Sequence, residues 1–133
     1  MKKEIVARVE DLMFRSKIDA AARHLNVTVR FAEKADDLAR ACSGEPAALL
    51  VEVTPAALEA VAALKKSAAG RDLPVVGFLS HVDRDLAEEA RRLGIDRVLP
   101  RSQFSETLPE LILEYTAPGV ERVVEEEPEL PEE

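Results

Sequence analysis

The chain has little of several things that folds and active sites commonly rely on. Its 133 residues include one cysteine, Cys42, which excludes an internal disulfide and any zinc site built from cysteine pairs. There is no tryptophan, aromatics make up 4% of the residues, and no basic stripe runs between them. With a formal net charge of -8, direct nucleic-acid binding is disfavoured, because an acidic chain repels phosphate backbones. Long apolar runs are also missing: Pro46 to Val51 and Leu73 to Leu79 fall far short of a bilayer span. The start, Met-Lys-Lys-Glu and a short strand-like run, does not have the pattern of a signal peptide. The cytoplasm is the expected compartment, with no membrane contact. No Ser/His/Asp spacing and no cluster of histidines supports an enzyme.

What is present suits one globular core: 47% of the residues are apolar, too few in a chain of this length for two domains. The charge is uneven. Residues 117–133 carry seven acids and one arginine, a net of -6, which leaves -2 for residues 1–116. The expected organisation is therefore a body, 1–116, and an acidic flexible tail, 117–133.

Within the body, strand and helix patterns alternate. Glu4 to Val9 is short, rich in branched residues and ends at acids, as a buried strand does. Phe14, Ile18, Ala21, Ala22 and Leu25 then recur at helical spacing, with Asn26 as a stop. Val27, Val29 and Phe31 alternate with polar residues as a half-buried strand, and Ala35 to Ala41 suits a short helix closed by Gly44. Ala47 to Val53 reads as a central parallel strand covered on both faces. Thr54 as cap and Pro55 at the first helical position open a helix expected to run to about Ala69 and stop at Gly70. Leu73 to Leu79 is strand. Arg84 to Leu93 is helix, with Asp83 as cap and Gly94 after it, and Ile95 to Leu99 is a fifth strand. The last helix contains Leu108 to Glu114, with Thr107 and Glu110 as a capping box and Pro109 in its first turn.

Five such pairs imply an α/β fold: a flavodoxin-like, doubly wound, five-stranded parallel sheet of order 2-1-3-4-5 with helices on both faces. Ligands of such sheets bind beyond the carboxyl ends of strands 1 and 3. Glu10, Asp11 and Glu52 fall there, so three carboxylates share one crevice and form a candidate magnesium site. Each acid also has a plainer reading. Glu10 and Asp11 can cap the following helix, and Glu52 can pair with Arg101 across the crevice. His24 reads as a solvated helix residue, His81 as a loop residue at the crevice rim, Cys42 as core, and Arg15 and Lys17 as a wet helix face.

Residues 3 to about 116 resemble the receiver domains of two-component response regulators, the CheY-like family. The resemblance rests on Val9-Glu10-Asp11, on Leu49-Leu50-Val51-Glu52-Val53-Thr54-Pro55, on Leu73-Pro74-Val75-Val76 and on Gly94-Ile95-Asp96. In that family an acidic pair and an acceptor aspartate bind magnesium. The aspartate takes a phosphoryl group from a kinase, and a strand-four hydroxyl and a strand-five lysine read it. Carried onto this chain, Glu10 and Asp11 match the acidic pair. Glu52 falls on the acceptor, Leu79 on the hydroxyl with Ser80 one residue late, Arg101 on the lysine, and Val98 on the aromatic switch position. Ser102 stands where a proline commonly follows the lysine.

The resemblance with these departures implies an atypical receiver-like module that works through protein partners without aspartyl phosphorylation. Magnesium is left open, no other cofactor is expected, and a homodimer is left open. The competing reading is a working phosphoacceptor or a small-ligand site in the Glu10/Asp11/Glu52 crevice. Against a phosphate ligand, the Val9-Glu10-Asp11-Leu12-Met13-Phe14 loop has no glycine and places acids where a phosphate would sit.

The tail offers little apolar surface against a backbone ordering cost of roughly 1–2 kcal/mol per residue. Truncation after Tyr115 is therefore expected to leave the melting temperature nearly unchanged. A loss of many degrees, or of an oligomer seen by light scattering, would show that the tail is part of the core or the interface.

Overall fold

The computed structural model describes residues 4–79 and 83–117. The assignments of Ser80, of His81 and of the tail beyond Ala117 lie outside these residues. In chain order the elements are β1 (Glu4–Arg8), α1 (Leu12–His24), β2 (Thr28–Phe31), α2 (Ala35–Ser43), β3 (Leu49–Glu52), α3 (Pro55–Lys65), β4 (Val75–Leu79), α4 (Arg84–Arg92), β5 (Arg97–Pro100) and α5 (Arg101–Thr116). All neighbouring strands pair in parallel, in the order β2-β1-β3-β4-β5. This is the doubly wound, flavodoxin-like sheet that the alternation predicts.

The period of two along each strand sorts the core into two layers. Val6, Leu49, Val51, Val75, Leu79 and Val98 face one side, where Leu38 and Cys42 of α2, Leu58, Val61 and Leu64 of α3, and Ala87 and Ala90 of α4 cover them. Ile5, Ala7, Leu50, Val76, Phe78 and Leu99 face the other, under Phe14 and Ile18 of α1 and Phe104, Leu108 and Ile112 of α5. On that side three rings stack. Phe78 of β4 lies between Phe14 and Phe104, with centroids 4.7 and 4.4 Å away. Burial pushes the Cys42 thiol up to about 11, which suits its reading as a core residue.

Local chemistry sets most helix ends. Asp11, Thr54 and Asp83 each accept a hydrogen bond from the backbone N–H three residues on, at 3.1, 3.1 and 3.0 Å. Asn26 stops α1 at a φ of 59°, and Gly94 follows α4 at a φ of 103°, which its missing Cβ permits.

Gly44 closes α2 as expected, at an ordinary φ of -78°, and Glu45 after it is left-handed, with a φ of 55°. Two helix ends differ from the sequence expectation. Helix α3 ends at Lys65, well short of Ala69, because the chain tightens into i−3 bonds and the Ser67 hydroxyl donates to Leu64 O at 2.6 Å. Gly70 is needed for space: a Cβ there would lie 2.2 Å from Leu64 O.

The second correction concerns α5, which begins at Arg101, so Thr107 and Glu110 form no capping box. The Thr107 hydroxyl instead donates back to Gln103 O at 2.8 Å, and Pro109 sits inside the helix. Pro109 is exposed and has no N–H to donate to the Ser105 carbonyl one turn earlier.

An interior proline normally costs a helix about 3 kcal/mol. Pro109→Ala is therefore expected to raise the stability, by about 1–3 kcal/mol in chemical denaturation. An unchanged midpoint would mean that α5 carries the proline without cost.

Candidate functional site

The carboxyl ends of β1 and β3 meet at the centre of one sheet edge, and the strand alternation brings Glu10, Asp11 and Glu52 there. Their side chains then part. Asp11 is the N-cap of α1, with Oδ1 held by the Phe14 N–H. The exposed Glu10 carboxylate turns aside, its Oε2 4.0 Å from Arg8 Nη1. Glu52 reaches across the crevice, and its Oε1 accepts from two successive backbone amides, those of Glu10 at 2.9 Å and Asp11 at 3.1 Å.

Successive amides turned to one point form a small anion-binding concavity, and the α1 macrodipole adds to it. Here the chain fills that concavity with its own carboxylate. The longer side chain of glutamate supplies the reach. Because the acceptor is ionised, each bond belongs to the stronger, charge-assisted class.

Among the described residues no three His, Cys, Asp or Glu side chains are grouped to hold a metal ion. A divalent cation such as magnesium needs several oxygens directed at one point. As arranged, the three carboxylates present no shared set: one caps a helix, one holds loop amides and one faces outward. The residues do not fit the ion in this arrangement.

The alternative pairing with Arg101 does not form either. Arg101 is the first, exposed residue of α5 and has no ion pair among the described residues. Leu79, beside Pro100 in the β4–β5 register, is buried, and Val98 is buried in the layer under α4. An apolar side chain thus stands at each of these two positions.

One residue escaped the sequence reading. Arg8, in the apolar run of β1, is only 8% exposed. Its Nε donates to Glu33 O at 2.9 Å, tying the β2–α2 connection to the sheet, while Nη1 is buried without a hydrogen-bond partner. The signal was available: a lone cation in an apolar strand that is buried on both faces.

Comparison with solved structures agrees with the fold. The chemotaxis response regulator CheY4 of Vibrio cholerae superimposes with a TM-score of 0.71 at 16% identity, over 86% of this chain and 99% of that one. The chain has the receiver fold. A response regulator from Hahella chejuensis gives 0.74 at 14% identity, over 91% and 100%. The receiver domain of a sensor histidine kinase from Pseudomonas aeruginosa, described with magnesium coordinated in its active-site cleft, gives 0.72 at 16%, over 86% and 98%. At these identities the likeness is one of fold. Neither protein-family models nor curated proteins give a match.

Removing the Glu52 carboxylate leaves two amides without their acceptor. Glu52→Ala is expected to destabilise the protein by about 2–3 kcal/mol and Glu52→Gln by about 1 kcal/mol. In both, hydrogen exchange at Glu10 and Asp11 should quicken. Wild-type stability and protection in Glu52→Ala would show that the clasp contributes nothing.

Proposed function

We propose that this chain is an atypical receiver-like signalling or scaffold module that acts through protein contacts, without aspartyl phosphorylation and without catalysis of its own. One observation carries the reading: Glu52, at the position of the family's phosphoacceptor, is engaged by the amides of Glu10 and Asp11. An attacking carboxylate must be free and correctly placed, and a misplacement of about 1 Å can cost on the order of a hundredfold in rate. Two further positions support it. Buried Leu79 offers no hydroxyl to a phosphoryl group, and the guanidinium of Arg101 differs from a lysine ammonium in shape and bonding. The acidic charge of the chain favours protein partners over nucleic acid, and no described helix is long and apolar enough to cross a membrane.

A second reading keeps a cation in the crevice, favoured by the Pseudomonas aeruginosa receiver described with magnesium in its cleft. It would require Asp11 to leave its capping bond and Glu52 to release the loop amides, so binding would work against three hydrogen bonds.

Incubation with acetyl phosphate and magnesium is expected to add no phosphoryl group by intact-mass measurement, and millimolar magnesium to leave the melting temperature unchanged. A stable addition mapping to Glu52 or Asp11 would overturn the first expectation. A magnesium shift that vanishes in Asp11→Ala would overturn the second in favour of a metal site.

A further inference from the structure

The described surface exposes three large hydrophobic side chains, Leu12 (76%), Met13 (66%) and Leu113 (36%), and all lie on α1 or α5. These helices are neighbours on one side of the sheet, joined where Lys17 Nζ donates to Ser105 Oγ at 3.0 Å. Both return from the carboxyl edge of a parallel sheet, so they run side by side in the same direction. Residues four apart share a helix face. That spacing places Met13 beside Lys17 on α1, and Arg101, Ser105, Pro109 and Leu113 in one row along α5. The face between the helices is a strip that carries Met13, Pro109 and Leu113 and two cations, Lys17 and Arg101, neither of which has a carboxylate partner among the described residues.

We propose that this α1/α5 face is covered by the chain's own acidic segment, residues 118–133. Chemistry and reach both select this occupant. The segment has few apolar side chains, Val120, Val123, Val124 and Leu130, and they alternate with acids that match Lys17 and Arg101 in sign. It leaves α5 one residue after Thr116, at the Leu113 end of the strip. The 16-residue helix is about 24 Å long, whereas the 13 residues that follow Ala117, up to Leu130, can span up to about 43 Å. Val120 to Val124 therefore lie within reach of Leu113, and Leu130 within reach of Met13, with slack. Tethering makes the contact intramolecular, so weak individual contacts suffice. Glu106 and Glu110, exposed one residue along from the Ser105 and Pro109 row, repel the acids and direct them toward α1.

A spin label tests the proposal on the full chain. Glu132→Cys gives one reactive thiol, because native Cys42 is buried and its thiol is pushed up to about 11. Paramagnetic broadening is expected to at least halve the amide signals of Met13, Lys17 and Arg101, unchanged on tenfold dilution and reduced by Lys17→Glu or by high salt. Absence of broadening at these amides would overturn the proposal. Broadening that fades on dilution would also overturn it, by assigning the face to a second copy of the chain. Persistence of full broadening in Leu130→Ser combined with Lys17→Glu would show that neither anchor matters and would overturn it as well.

Discussion

A parallel sheet must be re-entered from the same edge for every strand, and this constraint organises the whole molecule. Each return needs a crossover, each crossover here is a helix, and right-handed crossovers distribute those helices over both faces. Two consequences follow. Strands β1, β3 and β4 are buried on both sides, which is why their sequences are apolar runs and not clean alternations. All five carboxyl ends lie along one edge, which is why acids far apart in sequence come within a few ångströms of one another.

What happens at that edge depends on one methylene. A shorter aspartate at position 52 would stop about 1.5 Å nearer the strand. Glutamate reaches the amides that open α1 and serves them as acceptor. The loop thereby gains a fixed anion without any ligand, and the carboxylate at the end of β3 becomes part of the scaffold. The aromatic stack lies next to this arrangement. Phe78 is the β4 register partner of Glu52, and Phe14, whose N–H holds the Asp11 cap, lies against its ring. The clasp therefore adjoins the stacked aromatic part of the core.

Much of the fold was legible because its signals are local. Caps such as Asp11, Thr54 and Asp83 act within three residues, and Asn26 and Gly94 mark left-handed turns by side-chain type alone. The sheet order followed from alternation and handedness. The failures occur where a tertiary contact overrides a local preference. Thr107, Pro109 and Glu110 carry the residue types of a helix start, but Phe104 and Leu108 bury against the sheet and continue the helix through the proline. At the site, the positions of Glu10, Asp11 and Glu52 were legible. Their division among a cap, a clasp and an outward carboxylate was not, because a long-range side-chain bond to a backbone amide leaves no mark in residue type. Arg8 was overlooked because strand patterns are read from their apolar majority.

The outermost strands bear on how the molecule behaves among copies of itself. β2 and β5 are each four residues long, and each carries features that discourage a further strand. On β2, Arg30 is tied by its Nε to Glu4 Oε2 at 2.8 Å. On β5, Arg97 contacts the Glu114 carboxylate of α5 and Pro100 ends the strand without an N–H to offer. Short, charged and proline-ended borders are poor templates for edge-to-edge growth. A sheet with two open sides is thereby discouraged from growing by strand addition into fibrils.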